Sequence, residues 1–595
     1  MSRYDLVLLH PPSVYDFRRE PKLYGPVSEV VPSTPVFEMY PFGFATIAGY
    51  LHSKGYRARI VNLALRMIND PSFDAERFLG GLFPGAFGIG LHWLCHAQGA
   101  VETARIVKRQ HPDTPVIFGG LSSSYYHEQL MEYPEVDYVL RGDSTEAPLV
   151  ELLSCLREGR EPVDVPNLTW RDASGGVRVN PLSHVPETLG LRPIDHAFMV
   201  RAVLRDRDLT SNMPFRDWLE YPMGAGVTCR GCTHNCITCG GSQYAFKRFF
   251  GREKPAFRPP AALAEDVKSI RGFGRGFMIV VGDVRQAGMD YARRFLDEMA
   301  VLKDPITLEL FTPATDDFLQ RVGDALPNFA LEISLESHDE EVRRAFGKHY
   351  SNHAVEKTIE KAFGAGCTRL DIYFMIGLPK QTRQSVMDTV AYCDELLHRY
   401  GQDERLHLFV SPLAPFLDPG SMAFEEPERY GYKIFHRTLE EHRRALLSPS
   451  WKYVLNYETE WMTREDIVLS SYEASLELNR IKLRHGLMTQ EEVTLAEERT
   501  GQALRLLELL DEVAEDDGRR LEELRPQLEK TNAIVARPWN DWELGLSLGK
   551  WGLLKQGYYL LSQGVLALAT LLRRSVAGED GTRTDRATNA TGSNE

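Results

Sequence analysis

The stretch Cys229-Arg-Gly-Cys232-Thr-His-Asn-Cys236-Ile-Thr-Cys239-Gly-Gly-Ser242 gathers four of the chain's eight cysteines into eleven residues. Cys232, Cys236 and Cys239 stand at C-x3-C-x2-C. A short loop containing glycine and asparagine lets three thiolates converge on three irons of a [4Fe–4S] cluster. The fourth iron is then left without a protein ligand and open to a substrate. The alternative is a zinc site built from Cys229-x2-Cys232 and Cys236-x2-Cys239. All four zinc ligands would come from one short stretch, whereas zinc ribbons and fingers mostly draw theirs from two separated hairpins or helices. Cys229 is expected to be a bystander, because ligating the fourth iron would block it.

Upstream of this loop, short apolar runs alternate with helical patterns. Asp5–Leu9, Arg59–Leu63, Phe87–Leu91, Pro115–Phe118 and Asp137–Leu140 predict buried strands, with helices over Phe42–Lys54, Ala97–Gln110 and Glu146–Arg157 between them. Residues 1–160 therefore predict an α/β domain with a parallel, doubly wound (Rossmann-like) sheet. Its ligands would sit beyond the carboxyl ends of the strands, where Gly119-Gly120 and Gly142-Asp143 fall. Glycines there let backbone approach a bulky planar ligand.

Residues 161–215 read as a connector with a small hairpin turning at Asp172-Ala-Ser-Gly-Gly176. Over 216–445 the β-α rhythm resumes, with strands expected at Phe277–Val281, Thr307–Phe311, Leu331–Leu335, Arg369–Ile376 and His407–Pro412. That suits a full or partial (β/α) barrel, whose chemistry gathers at the C-terminal strand ends. A helical C-terminal domain is expected over 446–573, with amphipathic helices at Thr463–Arg499 and Gly501–Asp517. Within it, 542–573 is apolar but interrupted by Lys555, Gln556 and Gln563, short of the roughly 20 residues a membrane span needs. Residues 574–595 predict a disordered tail.

A chain of 595 residues is too long for one core. With 43% hydrophobic and 26% charged residues it is an ordinary soluble protein in composition, and its net charge of −14 argues against a nucleic-acid partner. Eight cysteines make no disulfide framework, so a reducing, cytoplasmic location is expected. The segment 542–573 reads as a helical hairpin packed on the barrel; peripheral contact with lipid, through Arg573 and Arg574 at its end, is the alternative.

The cysteine motif resembles that of the radical S-adenosylmethionine (SAM) enzymes, with Thr238 where the family usually has an aromatic residue. The resemblance implies that Cys232, Cys236 and Cys239 hold the cluster, and that SAM on its open iron yields a 5′-deoxyadenosyl radical. Val280-Val-Gly282-Asp283, Ile333-Ser-Leu-Glu336-Ser337 and Tyr373-Phe-Met-Ile-Gly377-Leu-Pro379 look like further family segments. They assign Gly282, Asp283, Glu336, Ser337, Gly377 and Pro379 to SAM. The N-terminal domain is similar to the cobalamin-binding domains that precede many such barrels. That similarity is carried by His10-Pro-Pro12, Tyr40-Pro41-Phe-Gly43, Gly119-Gly120 and Arg141-Gly142-Asp143-Ser-Thr-Glu146, and assigns Pro41, Gly119, Gly120, Leu121, Ser122, Gly142, Asp143 and Glu146 to cobalamin. No Asp-x-His-x-x-Gly occurs, so the lower axial histidine of many cobalamin proteins is missing. Tyr50-Leu-His52-Ser-Lys-Gly55 lacks the Asp and is read as a decoy, and His10 as a loop hydrogen-bonding residue.

The combined resemblance implies a cobalamin-dependent radical SAM enzyme that methylates an unactivated carbon. One SAM would methylate Co(I) cobalamin; a second would supply the radical that takes a substrate hydrogen. Radical cyclisation or C–C coupling is the enzymatic alternative, and a non-catalytic cobalamin or redox sensor the other. An electron donor of flavodoxin or ferredoxin type is implied, and a small-molecule, lipid or peptide substrate.

Overall fold

The computed structural model describes residues 4–25, 41–190, 196–216, 218, 223–273, 276–413, 416–513 and 518–535. The segment 542–573 and the tail 574–595 lie outside the described residues.

The N-terminal sheet holds β1 (Leu6–His10), β2 (Ala58–Asn62), β3 (Phe87–Gly90), β4 (Val116–Gly119) and β5 (Tyr138–Leu140), followed by β6 (Leu168–Arg171) and β7 (Val177–Val179). Their order is β2-β1-β3-β4-β5-β6-β7. The first five pair in parallel, and the hairpin expected in the connector, β6–β7, extends this sheet antiparallel to β5. Burial on both faces explains the unbroken apolar runs. In β1, Val7 and Leu9 pack on the side of helix Ala97–Gln110, while Leu6 and Leu8 pack toward helices Gly43–Ser53 and Glu146–Glu158. Strand order reverses beside β1, which creates a crevice at the carboxyl ends of β1 and β3.

The second sheet opens with β8 (Met223–Val227). After it, β9 (Cys229–Arg230) and β10 (Ala256–Phe257) make a short antiparallel pair beside the cysteine loop. Strands β11 (Phe277–Val281), β12 (Ile306–Leu310), β13 (Phe329–Glu336), β14 (Arg369–Ile376) and β15 (Leu406–Pro412) complete a six-stranded parallel sheet in the order β15-β14-β13-β12-β11-β8, an open partial barrel. The sequence does not announce β8, which reads Met-Gly-Ala-Gly-Val. Helix Pro260–Phe273 lies so close that a Cβ at Gly224 would come 2.5 Å from Ile270 Cγ2.

Beyond the barrel, helices Arg464–Arg484, Gln490–Asp511 and Gly518–Val535 bury Leu478, Ile481, Leu506, Leu510 and Leu528 in the same hydrophobic cluster as the barrel. The expected break near residue 500 falls instead at Gly486, whose φ of +75° ends the first helix. Thr489 then starts the next with a capping box: the Glu492 N–H donates to its hydroxyl, and its own N–H donates 2.7 Å to the Glu492 carboxylate. Gly501 continues that helix.

The first residues reach this region as well. Leu23 forms a parallel bridge with Ser450, Lys22 Nζ donates 2.6 Å to the Leu446 carbonyl, and the Tyr24 N–H donates 3.0 Å to Asn532 Oδ1. Among the described residues no helix is long and apolar enough to cross a membrane.

Candidate functional site

A cavity of about 680 Å³ opens between the carboxyl ends of the two sheets. Pro41, Gly119, Gly120, Leu121, Gly142, Asp143 and Glu146 line its N-terminal wall; Cys229, Arg230, Gly231, Arg258 and Asp266 line the barrel side. Ser122, assigned to the same ligand, stands behind the wall: its N–H and Oγ donate to the His92 carbonyl at 3.3 and 3.0 Å. Gly119 keeps the space open, since a Cβ there would meet no protein atom within 4 Å. Gly120 has φ +117°, and any side chain would collide with the backbone of Leu91 and His92 at 2.6 Å.

The carboxylates of Asp143 and Glu146 are committed across the domain boundary. Arg252 holds Asp143 with two N–H donors, one at 2.9 Å, and both side chains are almost wholly buried, at 2% and 6% exposure. Arg230 grips Glu146 in a fork at 2.5 and 3.1 Å. These pairs fix the two walls relative to each other.

Two groups on the walls are less satisfied. Asp266 pairs with Arg258 Nε at 2.5 Å through Oδ2, but its buried Oδ1 has no hydrogen-bond partner among the described residues. Burial pushes its carboxyl up to about 6. His92 lines the cavity just beyond β3, and burial pushes its imidazole down to about 4, so the ring is neutral at ordinary pH. Neither belongs to a motif. Their only signal in sequence is position: His92 follows its strand as Gly120 follows β4.

The cysteine loop is pinned from three sides. The Thr233 N–H and hydroxyl donate to Gln286 Oε1 at 3.0 and 2.9 Å, after β11. The Ile237 N–H donates 3.0 Å to the Phe346 carbonyl, and Gly347 (φ +110°) passes so close that a Cβ would sit 2.8 Å from the Asn235 carbonyl. The Gly240 N–H donates 2.9 Å to Asp418 Oδ2, beyond β15. His234 and Gly241 each donate a backbone N–H at 3.3 Å, to Cys232 Sγ and Cys239 Sγ, a pattern that stabilises metal-bound thiolates. Burial raises the free thiol of Cys236 to about 11, so binding iron would displace its proton.

Among the described residues no group of three or more His, Cys, Asp or Glu side chains is gathered as one metal ion requires. Zinc at about 2.3 Å from each sulfur needs a tight tetrahedron. The four cysteines do not form it. A cluster, whose irons are themselves separated, takes its cysteines wider apart.

The residues assigned to SAM divide in two. Gly282, Glu336 and Gly377 stand at the ends of β11, β13 and β14. Glu336 is left-handed, with φ +70° at an irregularity in β13, a strained conformation for a side-chain-bearing residue. Lys348 donates 2.6 Å to its Oε1, while Oε2 is buried with no hydrogen-bond partner among the described residues. Gly377 (φ +98°) leaves room for Tyr457, whose hydroxyl would lie 2.5 Å from a Cβ there and is likewise unpartnered among the described residues. Pro379 is buried two residues on.

Asp283 and Ser337 instead serve the local fold. Asp283 accepts from the Arg285 and Phe311 N–H groups, both at 2.9 Å, and from the Arg285 guanidinium; Ser337 Oγ accepts the Asp339 N–H at 3.1 Å. The sequence reading missed Glu309 of β12. It is half-buried, accepts the Gly282 N–H at 2.5 Å, and has its carboxyl pushed up, chiefly by desolvation. Glu309, Glu336 and Lys348 act electrostatically on each other and on the cysteine loop.

Residues 227–393 match the Radical SAM superfamily, and residues 29–151 match the B12 binding domain. A protein of Pyrococcus horikoshii described as an uncharacterized methyltransferase is 23% identical over 310 residues, covering 51% of this chain and 62% of that protein. The match therefore spans less than two thirds of that relative's length. TsrM of Kitasatospora setae, a radical SAM methyltransferase with cobalamin and a [4Fe–4S] cluster bound, aligns at a TM-score of 0.56 and 14% identity over 90% of this chain and 99% of that one. OxsB, a cobalamin-dependent radical SAM enzyme with aqua-cobalamin and SAM bound, aligns at 0.54 and 13% over 98% and 82%. At these identities the likeness is one of fold. The chain thus carries a radical SAM domain over residues 227–393 and, ahead of it, a B12-binding domain over residues 29–151.

Proposed function

We propose that the protein methylates an unactivated carbon, using a [4Fe–4S] cluster on Cys232, Cys236 and Cys239, SAM, and cobalamin. One observation carries this reading: the cavity on the strand ends of the B12-binding domain runs to Cys229–Gly231, the threshold of the cysteine loop. The residues fit the groups. Gly119 leaves space that a side chain would fill, Asp266 Oδ1 awaits a donor such as a corrin amide, and Glu336 Oε2 awaits a donor such as the SAM ammonium. When bound, the cluster and SAM supply the radical that abstracts hydrogen, and cobalamin supplies the methyl group.

The chain's own residues hold and shield. Lys348 fixes the Glu336 carboxylate, and the ion pairs of Asp143 and Glu146 keep the walls at a set spacing. Leu8, Ile89, Ile117 and Leu140 on the lining exclude water. A reducing partner of flavodoxin or ferredoxin type and a cytoplasmic location complete the proposal.

The test is anaerobic reconstitution followed by reaction with methyl-deuterated SAM, dithionite and fractionated small molecules, lipids and peptides. A deuterated methyl on carbon, formed together with 5′-deoxyadenosine, is expected. A cyclised or coupled product without the label overturns methyl transfer. Cobalamin binding with no 5′-deoxyadenosine at all means a sensor.

Gly119→Phe should leave the melting temperature within a few degrees of wild type and weaken corrinoid binding by about 100-fold or more, because the ring enters the space the ligand needs. The corrinoid absorbance retained after gel filtration reads this out.

A further inference from the structure

We propose that His92 is the protein's own ligand to the cobalt of the corrinoid in this cavity, which rests on reading the cavity as a cobalamin site. The cobalamin motif that would supply a histidine after β1 is missing, but β3 lies next to β1 at the crevice, and His92 is two residues beyond its end. His92 lines the cavity, its ring meets that of Trp93 at 5.9 Å, and among the described residues its ring nitrogens make no hydrogen bond. An imidazole left unsatisfied on a cavity wall is a group waiting for a ligand. Neutral imidazole is a good donor to a transition metal.

The surroundings fix this residue. Ser122 donates twice to the His92 carbonyl, the Leu91 N–H donates 2.8 Å to the Gly119 carbonyl, and the Ser123 N–H donates 3.1 Å to the Leu91 carbonyl. Gly120 lacks the side chain that would push His92 away. Ser122, which does not reach the cavity, thereby gains a role: it positions His92. The other wall histidine, His96, is already engaged, with its ring against His10 at 4.9 Å and Nδ1 3.5 Å from Cys95 Sγ.

The experiment is electron paramagnetic resonance of the full chain loaded anaerobically with cob(II)alamin. One coordinating ¹⁴N should split the high-field cobalt lines into triplets. In protein made with [¹⁵N]histidine they should become doublets, whereas the cofactor's own unlabelled benzimidazole would leave them as triplets. His92→Gln should lose the splitting and still retain cobalt; His96→Gln and His10→Gln should keep it, which assigns the ligand even if the first variant binds poorly. Lines without nitrogen splitting, or triplets indifferent to the label, overturn the assignment while bound corrinoid upholds the cavity reading. Splitting that persists in His92→Gln also overturns it. Wild-type protein that retains no corrinoid overturns the cavity reading and the His92 assignment together.

Discussion

Changing Cys232, Cys236 or Cys239 singly to Ala should abolish the brown iron–sulfur absorbance and cut reductive SAM cleavage by about 1,000-fold or more, because the cofactors carry the difficult chemistry. Each of the three is pinned on a separate support: the loop after β11, the Phe346–Gly347 turn, and Asp418. Cys229→Ala should keep the cluster. Its thiol donates 3.3 Å to the Gly231 carbonyl, and the residue lines the cavity. Iron and sulfide counts on the four variants check this, and cluster retained in all three loop variants would refute the ligand assignment.

Arg252→Met should cost about 3–5 kcal/mol of stability, since removing one member of a buried ion pair strands the other charge. Asp143 would be left at 6% exposure without its fork, and the Pro186 carbonyl would lose its 2.9 Å donor. The double change Arg252→Met with Asp143→Leu should recover most of that loss, because matched apolar groups replace a buried pair at little cost. Urea unfolding of the three variants measures both effects. A single-variant loss below about 1 kcal/mol would place the pair among ordinary surface bridges. Arg230→Met should cost less, as its side chain is 17% exposed. The single Arg252 variant should also release corrinoid faster, because this pair ties the B12-binding wall to the barrel wall.

The strands were legible from their apolar runs, both where the strand is buried throughout, as in Leu6–His10, and where only alternate residues are, as in Phe277–Val281. Phe277–Val281 and Arg369–Ile376 come out with the expected bounds, as does helix Ala97–Gln110. Strand β8 was not legible, because close packing under Ile270 demands glycines that look like a turn. The expected helices Thr463–Arg499 and Gly501–Asp517 divide instead at Gly486, and Gly501 falls inside the second helix, whose interior tolerates one glycine at about 1 kcal/mol.

At the site, the motifs gave the residues but not their employment. Asp143 and Glu146 read as ligand contacts, yet their partners Arg252 and Arg230 lie 109 and 84 residues away, a pairing that only the fold reveals. Glu309 and His92 carry no spacing signal at all.

The meeting of Tyr24 with Asn532 spans 508 residues. At about 5–20 residues per second, a ribosome needs about half a minute to two minutes between making the two. The N-terminal sheet waits too, since its core borrows Phe416, Leu439, Leu446 and Val454. Translation therefore exposes an unfinished apolar face for most of its duration, and yield in a foreign host should depend on chaperone supply more than on codon choice.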